Sequence, residues 1–458
     1  MVESYKAEVS IVRSEEPLDE EKILNMVRES IDIIGGLDKI IKPGQKVLIK
    51  PNLVGPVSSP PVTNPMVTKA MVKLCKEITD DVLVGEATGA TNHTRRKVDM
   101  KYVYDQTGTT KAVEEAGGTL VFTDEEGFIE VEEPDAIVAR KFRIMKSVVD
   151  CDVLICLPQM HSIEDTIVSL AVKNTAMGCL DTEYKMMWHR QDLHQKICDV
   201  HRYLRPKYKL AVVDALVCSE GHTLDLPKSD ADRPKIGGFG KEFPLNLIIT
   251  GTDPVAVDAV GSEIMGFDPI NEIHHLRLCH FYGLGCADLS KIKIKGYPLE
   301  EAKKIHGPFK PPYYYISGYF DGVDVIPGGV CESCRWWSHG LMRLLERRGT
   351  REKIVDKFGK MTFVMGVSPT IPEEPEDIDG LVVVYGDCAV NHCIQHNMNW
   401  MWAIEASRGA EMARQATAMG KAGKIQSNLR TIPMVLVSGC PPIAGAWSYR
   451  AIERFLKE

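Results

Sequence analysis

The sequence predicts an α/β protein with two domains: a larger N-terminal domain built on a mainly parallel sheet, and a smaller C-terminal α/β domain that carries a cysteine-ligated metal centre. Three observations support this. Strand and helix patterns alternate from the start of the 458-residue chain. Several strands are short, almost wholly apolar runs, as expected for strands buried on both faces of a parallel sheet. Five cysteines cluster between Cys331 and Cys440.

The first domain is predicted to span residues 1–305. Its strands are expected at 7–13, 46–54, 81–87, 150–158, 209–217 and 243–251. Helices are expected at about 19–34 and at 67–78, the first of them stopped by a Gly-Gly pair. Strands separated by helices of this length are typical of a layered α/β domain.

The second domain is predicted to span residues 331–458. A stretch rich in Pro, Gly and Tyr precedes it, and residues 306–330 are interpreted as a connection. Three further strands are expected at 360–368, 380–388 and 431–440, with a long helix at about 400–421 between the last two. This pattern describes a second, smaller α/β domain.

Composition narrows the class of protein. Hydrophobic residues make up 44% of the chain and charged residues 26%, which is ordinary for a globular protein. The net charge of −8 argues against nucleic-acid or anionic-membrane partners, because both need a basic surface. The N-terminus lacks the pattern of a signal peptide, and no apolar run reaches the roughly 20 residues of a membrane helix. We therefore expect a soluble, cytoplasmic protein that acts on a small molecule, with a redox protein as a possible partner.

Four cysteines form the candidate metal site. Cys331 and Cys334 lie in the phrase CESC, the spacing at which two thiolates bind one metal ion or one cluster edge. Cys388 and Cys440 each follow a predicted strand. Because the carboxyl ends of parallel strands meet at one edge of a sheet, these cysteines are expected to converge there.

The identity of the metal is left open between an iron–sulfur cluster, most simply 4Fe-4S, and zinc. The cluster is favoured because structural zinc modules usually contain two closely spaced cysteine pairs, whereas here the second pair is split by about fifty residues. Cys393 is an alternative ligand to Cys388. The competing interpretation is that all of these are ordinary buried thiols.

Polar residues in the first domain suggest a second site. His161 follows the apolar strand 150–158, and Lys173 lies in an otherwise apolar stretch, where burial is costly unless the lysine pairs or reacts. A lysine that extends to the surface explains Lys173 equally well. His194, Cys198 and His201 share one helical face, for which a core cysteine flanked by surface histidines is the favoured interpretation.

Several phrases together resemble the family of the domain of unknown function DUF362. They are KPNLV (50–54), VTNP (62–65), VGEATG (84–89), LPQMH (157–161), LAVKNTAMG (170–178), LHQKICDVHRYLRPKYKLAVVDAL (193–216) and GTDPVAVDAVGSEIMGFDP (251–269). The resemblance covers about residues 40–270. Members of that family commonly carry iron–sulfur segments, so the resemblance implies a cluster here. The sequence departs from the family pattern at Gln159, where a lysine is common.

A more distant resemblance is to the nickel-pincer lactate racemase family. His161 and Lys173 are similar in placement to a histidine and the cofactor-anchoring lysine of that family, and His93 is similar to an earlier histidine. His194 or His189 completes the set. The resemblance implies that the histidines transfer protons or bind a metal and that Lys173 anchors a cofactor or substrate. The glycine-rich approach to that lysine is missing here.

The preferred interpretation is an iron–sulfur enzyme, oxidoreductase-like, that acts on a small polar molecule in a cleft between the domains. Lys173, His161 and His194 are the candidate catalytic residues, for substrate binding and acid–base chemistry. Three carboxylates are candidates for supporting roles: Asp214, Asp253 and Asp258. The alternatives are a racemase- or epimerase-like enzyme with a structural metal, and a non-catalytic electron-transfer or scaffold protein.

Overall fold

The computed structural model describes most of the chain as two compact units. It covers residues 6–56, 62–87, 99–163, 165–188, 192–220, 241–309, 316–318, 320–418, 432–437, 452–453 and 456. The first unit contains the described residues up to 309, and the second contains those from 316 onward.

The first unit contains twelve of the described strands. They are β1 (Ala7–Arg13), β2 (Val47–Pro51), β3 (Val82–Glu86), β4 (Thr119–Phe122), β5 (Phe128–Glu132), β6 (Lys141–Met145), β7 (Val153–Leu157), β8 (Gln159–Ile163), β9 (Ile167–Val168), β10 (Tyr208–Glu220), β11 (Lys241–Gly251) and β12 (Ile292–Gly296).

The described helices of this unit alternate with the strands along the chain. They are α1 (Glu20–Ile33), α2 (Pro65–Lys76), α3 (Met100–Gln106), α4 (Thr109–Glu115), α5 (Thr123–Glu126), α6 (Lys146–Asp150), α7 (Ala171–Gly178), α8 (Thr182–Trp188), α9 (Leu193–Leu204), α10 (Pro254–Ile264), α11 (His274–Phe281) and α12 (Leu299–Lys304). Short 3₁₀ turns occur at Leu37–Lys39 and Leu289–Lys291.

The large sheet has the order β12-β1-β11-β10-β7-β2-β3-β4, with β8 pairing to β10 and β9 to β8. Its centre is parallel, because β10, β7, β2, β3 and β4 pair in parallel along that order. The prediction of an α/β fold with a mainly parallel sheet is confirmed. Strand β11 differs, since it is antiparallel to both β1 and β10. Its apolar sequence fits either direction, because burial on both faces depends on hydrophobicity and not on strand polarity.

Both faces of this sheet are buried. Along β2, Leu48 packs into one hydrophobic core, whereas Val47 and Ile49 pack into another. Successive strand residues point to opposite faces, so each strand supplies side chains to both cores. This explains why the central strands are continuous apolar runs, without the alternation of a half-exposed strand.

The second unit is a smaller parallel α/β structure. Strands β13 (Val323–Gly328), β14 (Met361–Gly366), β15 (Leu381–Tyr385) and β16 (Met434–Val437) pair in parallel in that order. Its described helices are α13 (Glu332–Arg347), α14 (Thr350–Phe358), α15 (Asp387–His396) and α16 (Met398–Ala418), with 3₁₀ turns at Ile316–Gly318 and Pro375–Asp377. Strand β13 lies within the segment interpreted above as a connection: its Pro and Gly residues are part of an edge strand, where a missing N–H donor is tolerated.

Helix α7 is held at its start by a carboxylate from another helix. The side chain of Asp258, on α10, accepts hydrogen bonds from the backbone N–H groups of Ala171 (2.7 Å) and Val172 (2.8 Å). Asp258 is fully buried, and burial raises its pKa to about 8 against the opposing effect of these two donors. A helix of eight residues is too short to be stable alone, so this contact fixes where α7 begins.

We expect Asp258→Ala to lower the free energy of unfolding by about 2–5 kcal/mol, because it leaves two buried N–H groups without an acceptor. Urea denaturation measures the change. Asp268→Ala is a matched control, since Asp268 also accepts from two backbone N–H groups but is exposed, so water replaces it. Equal losses in the two variants would contradict this account of α7.

Candidate functional site

A buried ion pair lies where β2 and β3 end. Lys50 of β2 is 0% exposed and Glu86 of β3 is 3% exposed, and Lys50 Nζ lies 2.7 Å from Glu86 Oε2. Lys50 Nζ also donates to Pro51 O (3.0 Å) and Asn174 Oδ1 (2.9 Å), so its three N–H groups have three acceptors. Burial is the largest single effect and lowers the pKa of Lys50, but the charge of Glu86, its hydrogen bond to Lys50 and the neighbouring Cys179 and Cys156 together outweigh burial, so the net shift is upward. Lys50 is therefore a permanently charged, fully bonded group.

Helix α7 closes over this pair. Asn174 accepts from Lys50 and donates its Nδ2 to Cys156 Sγ of β7 at 3.2 Å, which ties the helix to two strands. A methyl group added at Gly178 would lie 2.3 Å from Lys50 Nζ and 3.2 Å from Glu86 Oε1. The glycine is therefore required by the close approach of the lysine. Oxygen Oε1 of Glu86 is buried and has no hydrogen-bond partner among the described residues.

The candidate supporting carboxylates have structural partners. Asp214 accepts from Asn64 N (2.7 Å) at the start of α2, and burial raises its pKa to about 6. Asp253 caps α10 through Val255 N and also accepts from Cys286 N. Together with Asp258 these side chains position helices, so their effect on any chemistry is indirect.

A second polar cluster surrounds Lys173 of α7. Its Nζ lies 2.8 Å from Asp165 Oδ1, and Lys173 is 5% exposed, so it is a buried ion pair and not a surface lysine. His161 of β8 is buried next to it: Nδ1 lies 3.0 Å from Gln159 O and 2.9 Å from Gln159 Oε1. Burial and the charge of Lys173 lower the pKa of His161 to about 4. His161 is therefore neutral at pH 7, and Gln159 orients it.

Helix α11 adds two histidines to this cluster. The ring of His275 stacks on that of His194 of α9, with centroids 5.8 Å apart, and His274 lies 5.1 Å from His194. His275 is 0% exposed, and neither of its ring nitrogens has a hydrogen-bond partner among the described residues. Burial, His194 and Lys173 lower the pKa of His275 well below its usual range. His275 is therefore a second neutral imidazole whose pKa is lowered in part by the charge of Lys173.

Helices α9 and α11 pair in one register. One turn after the His194–His275 pair, Cys198 and Cys279 face each other with their sulfur atoms 3.5 Å apart. Both thiols are buried, and burial raises the pKa of Cys279 well above its ordinary value. The interface between α9 and α11 therefore contains a pair of histidines and, one helical turn further on, a pair of thiols.

The structure thus connects the three residues predicted to be catalytic. Lys173 acts on His161 directly, and its charge reaches His275, on which His194 stacks. The catalytic role of Lys173, His161 and His194 stays a prediction. The other two candidate histidines, His93 and His189, lie outside the described residues. Sequence reasoning missed several members: Lys50, Glu86, Asp165, His274 and His275. A charged residue inside the apolar strand VLIKP and the His-His doublet of α11 were the available signals.

The predicted metal ligands of the second unit lie at helix starts. Cys331 is the N-cap of α13, Cys334 lies in its first turn, and Cys388 lies in the first turn of α15. Cys440 lies outside the described residues, and within the described part of the chain no group of three metal-binding side chains is assembled. Cys393 is buried in an apolar core, where burial raises its pKa to about 12.

The fold and its buried clusters define an α/β protein with a mainly parallel sheet and polar groups at the strand ends. Residues 47–263 match the family model of the domain of unknown function DUF362. The resemblance inferred from the sequence phrases is therefore confirmed over these residues. The match includes both buried clusters except for His274 and His275.

A curated relative and two solved structures are among the proteins to which the chain is similar. A thylakoid-associated protein from Synechocystis sp. is 23% identical over 269 residues, which are 57% of this chain and 75% of the relative. The lactate racemase apoprotein from Thermoanaerobacterium thermosaccharolyticum is 12% identical at a TM-score of 0.34, covering 100% of this chain and 82% of its own. A protein from Thermotoga maritima is 11% identical at a TM-score of 0.35, and the match covers 96% of this chain and 92% of that protein.

The solved structures to which the chain is similar thus include a lactate racemase, the family named in the second resemblance. In the part of the chain that the structure describes, no helix has the length and apolar character needed to cross a bilayer.

We expect Lys50→Met to reduce the free energy of unfolding by about 3–5 kcal/mol, because it leaves the buried Glu86 charge without its partner. The double variant Lys50→Met/Glu86→Leu should recover much of that loss, since it removes both charges. Urea titration of the variants measures this. Lys22→Met breaks an exposed ion pair with Glu16 and is the control, with a much smaller expected effect. A Lys50→Met loss no larger than the control would refute the interpretation of the pair.

The pKa of His161 also predicts a pH dependence. The pKa of His161 in the folded protein, about 4, lies below the ordinary histidine value of 6.5, so between these pH values the unfolded chain binds a proton that the folded chain does not. Stability is therefore lost as the pH falls from about 6.5 to 4, by on the order of 3 kcal/mol for this group. His161→Asn should flatten that slope in denaturation curves measured from pH 7 to 5. The control variant His396→Asn changes an exposed histidine and should leave the slope unchanged. Identical slopes in the wild type and His161→Asn would show that His161 does not contribute to the pH dependence.

Proposed function

We propose that this protein is an iron–sulfur enzyme in which Cys331, Cys334, Cys388 and Cys440 hold the cluster, most simply 4Fe-4S, and the first unit binds a small polar molecule. The observation that carries the proposal is the relation of the cysteines to the sheet. Cys331 follows the end of β13 by three positions, and Cys388 follows the end of β15 by three. Cys440 has the same sequence offset from the end of β16.

The strands that precede these cysteines are parallel. Because β13, β14, β15 and β16 run in the same direction, their carboxyl ends lie along one edge of the sheet. Cys331 and Cys388 therefore follow strand ends at the same edge, which is where α/β proteins commonly bind ligands. The equal sequence offset of Cys440 supports including it in the proposed ligand set.

The described cysteines also have the right chemistry. Cys331, Cys334 and Cys388 lie at helix N-termini, where the helix dipole favours negative charge such as that of a thiolate-ligated cluster. Cys393 has the opposite environment, because burial raises its pKa. These differences support Cys388 over Cys393 as the ligand. A bound cluster supplies one-electron transfer, which suits an oxidoreductase with a redox protein as partner.

The first unit supplies the acid–base groups. The Lys173 ammonium, held by Asp165, is a cation for orienting a polar or anionic substrate. His161 and His275 are neutral imidazoles, and His194 stacks on the latter. Neutral imidazoles can accept a proton, and Lys173 stabilises a negative charge that develops nearby.

A racemase- or epimerase-like enzyme is the second candidate. The specific observation in its favour is that two neutral histidines, from different elements, respond to the charge of the same lysine. Proton removal and return by two separate bases is the chemistry such an enzyme needs. In this alternative the metal of the second unit is structural.

We expect anaerobically purified protein to contain iron and acid-labile sulfide in near-equal amounts and to absorb visible light. Cys331→Ser and Cys440→Ser should each remove this absorption, because the cluster loses a thiolate ligand. Cys393→Ser is the matched control and should retain iron and sulfide. Metal analysis with a sulfide assay and a visible spectrum measures the result.

Lys173→Ala should also retain the cluster, because Lys173 belongs to the other unit. Zinc alone in the wild-type protein would overturn the iron–sulfur proposal and favour the second candidate. Full cluster content in Cys331→Ser or Cys440→Ser would show that the ligand set is wrong.

A further inference from the structure

Two histidines lie one turn apart on helix α15 of the second unit. His392 and His396 are separated by four positions, so they project from the same face of the helix. Their ring centroids lie 5.9 Å apart, and the ring planes are inclined to each other by 33°. His392 is half-buried and His396 is exposed. The pair is therefore open to solvent, with its two rings held at a short spacing by the helix.

The spacing of the two rings suits a single metal ion. Two imidazole nitrogens that bind one ion at about 2.0–2.1 Å place their ring centroids about 5 Å apart. The separation of 5.9 Å exceeds this by about 1 Å, which rotation of the exposed His396 side chain can remove. Histidines four positions apart on one helical face are also the zinc ligands of the HExxH motif, which shows that the spacing is competent to bind metal.

The position of the pair within α15 favours a cation. His396 is the last residue of this ten-residue helix, and His392 lies one turn before it. The carboxyl end of a helix carries partial negative charge, because its last carbonyl groups have no partner within the helix. This charge stabilises a positive ion bound at the last turn. The helix end therefore adds to the affinity that the two imidazole rings supply.

An acidic segment is bound to the residues that follow the helix. The segment EEPED (373–377) contains four exposed carboxylates. Asn397, the residue after His396, donates its Nδ2 to Glu373 O (2.8 Å), and Asn399 Nδ2 donates to Glu374 Oε1 (2.7 Å). These contacts hold negative charge close to the histidine pair. Because the described residues assemble no group of three metal-binding side chains, the segment attracts a cation through its field and not as a ligand.

We propose that His392 and His396 form a binding site for a divalent late transition metal ion, of the class of Ni²⁺, Cu²⁺ and Zn²⁺. Imidazole nitrogens suit these ions, whereas Mg²⁺ and Ca²⁺ prefer oxygen ligands. Two protein ligands leave the other coordination positions to water or to a small ligand. The site shares helix α15 with Cys388, but it does not depend on the cluster proposed for that cysteine.

The test is equilibrium dialysis of the full chain, purified anaerobically, against Ni²⁺ at neutral pH with Mg²⁺ in excess. We expect one bound Ni²⁺ per chain whose affinity falls by at least about tenfold in His392→Asn and in His396→Asn, because a single histidine has lost its chelating partner. Cys388→Ser is the matched control, since it changes the metal-binding side chain one turn earlier on the same helix. This variant should retain the nickel ion.

A second variant tests the spacing of the histidines. Asn391→His/His392→Asn keeps two histidines on α15 but separates them by five positions, so they no longer share a face and should bind as weakly as the single variants. Wild-type affinity in this variant or in His396→Asn would overturn the proposal. Loss of nickel in Cys388→Ser would assign the ion to the cysteines, and displacement by Mg²⁺ would assign it to the acidic segment; either result would also refute the histidine site.

Discussion

The ion pair between Lys50 and Glu86 is the interaction on which the arrangement of the first unit depends. It joins the ends of two neighbouring strands in a sheet that is buried on both faces. The cost of removing a charge pair from water is lower when its remaining donors and acceptors are bonded. The lysine meets this requirement by recruiting Asn174, and so the position of helix α7 follows from the electrostatics of the strands beneath it.

Helix α7 carries side chains of both polar clusters: Asn174 bonds to Lys50, and Lys173 pairs with Asp165. Lys173 and Asn174 are consecutive, so they point about 100° apart around the helix axis. Asn174 faces the ion pair, whereas Lys173 faces Asp165 and the histidine cluster. The helix is held at its start by Asp258, in its middle by Asn174 and at its end by the fit of Gly178 against Lys50. The candidate catalytic lysine thus stands on an element that is fixed along its whole length.

The fold was largely predictable from sequence, whereas the long-range pairings were not. Apolar runs located the strands, because burial on both faces requires them, but hydrophobicity carries no strand direction and β11 proved antiparallel. Lys173 was noticed as a charge in an apolar stretch. Lys50 gives the same signal, yet its partner Asn174 is 124 residues away. His275 was missed for a similar reason, since its role emerges only when α9 and α11 are brought together by packing.

The pairing of α9 with α11 has a consequence for how this region can move. Histidine lies against histidine and, one turn on, thiol against thiol. A slide of either helix by one turn, about 5.4 Å, would set an imidazole against a thiol and leave one member of each layer unmatched. The two helices therefore have a single favoured register relative to each other. Motion of this wall of the histidine cluster is restricted to the two helices shifting as one body.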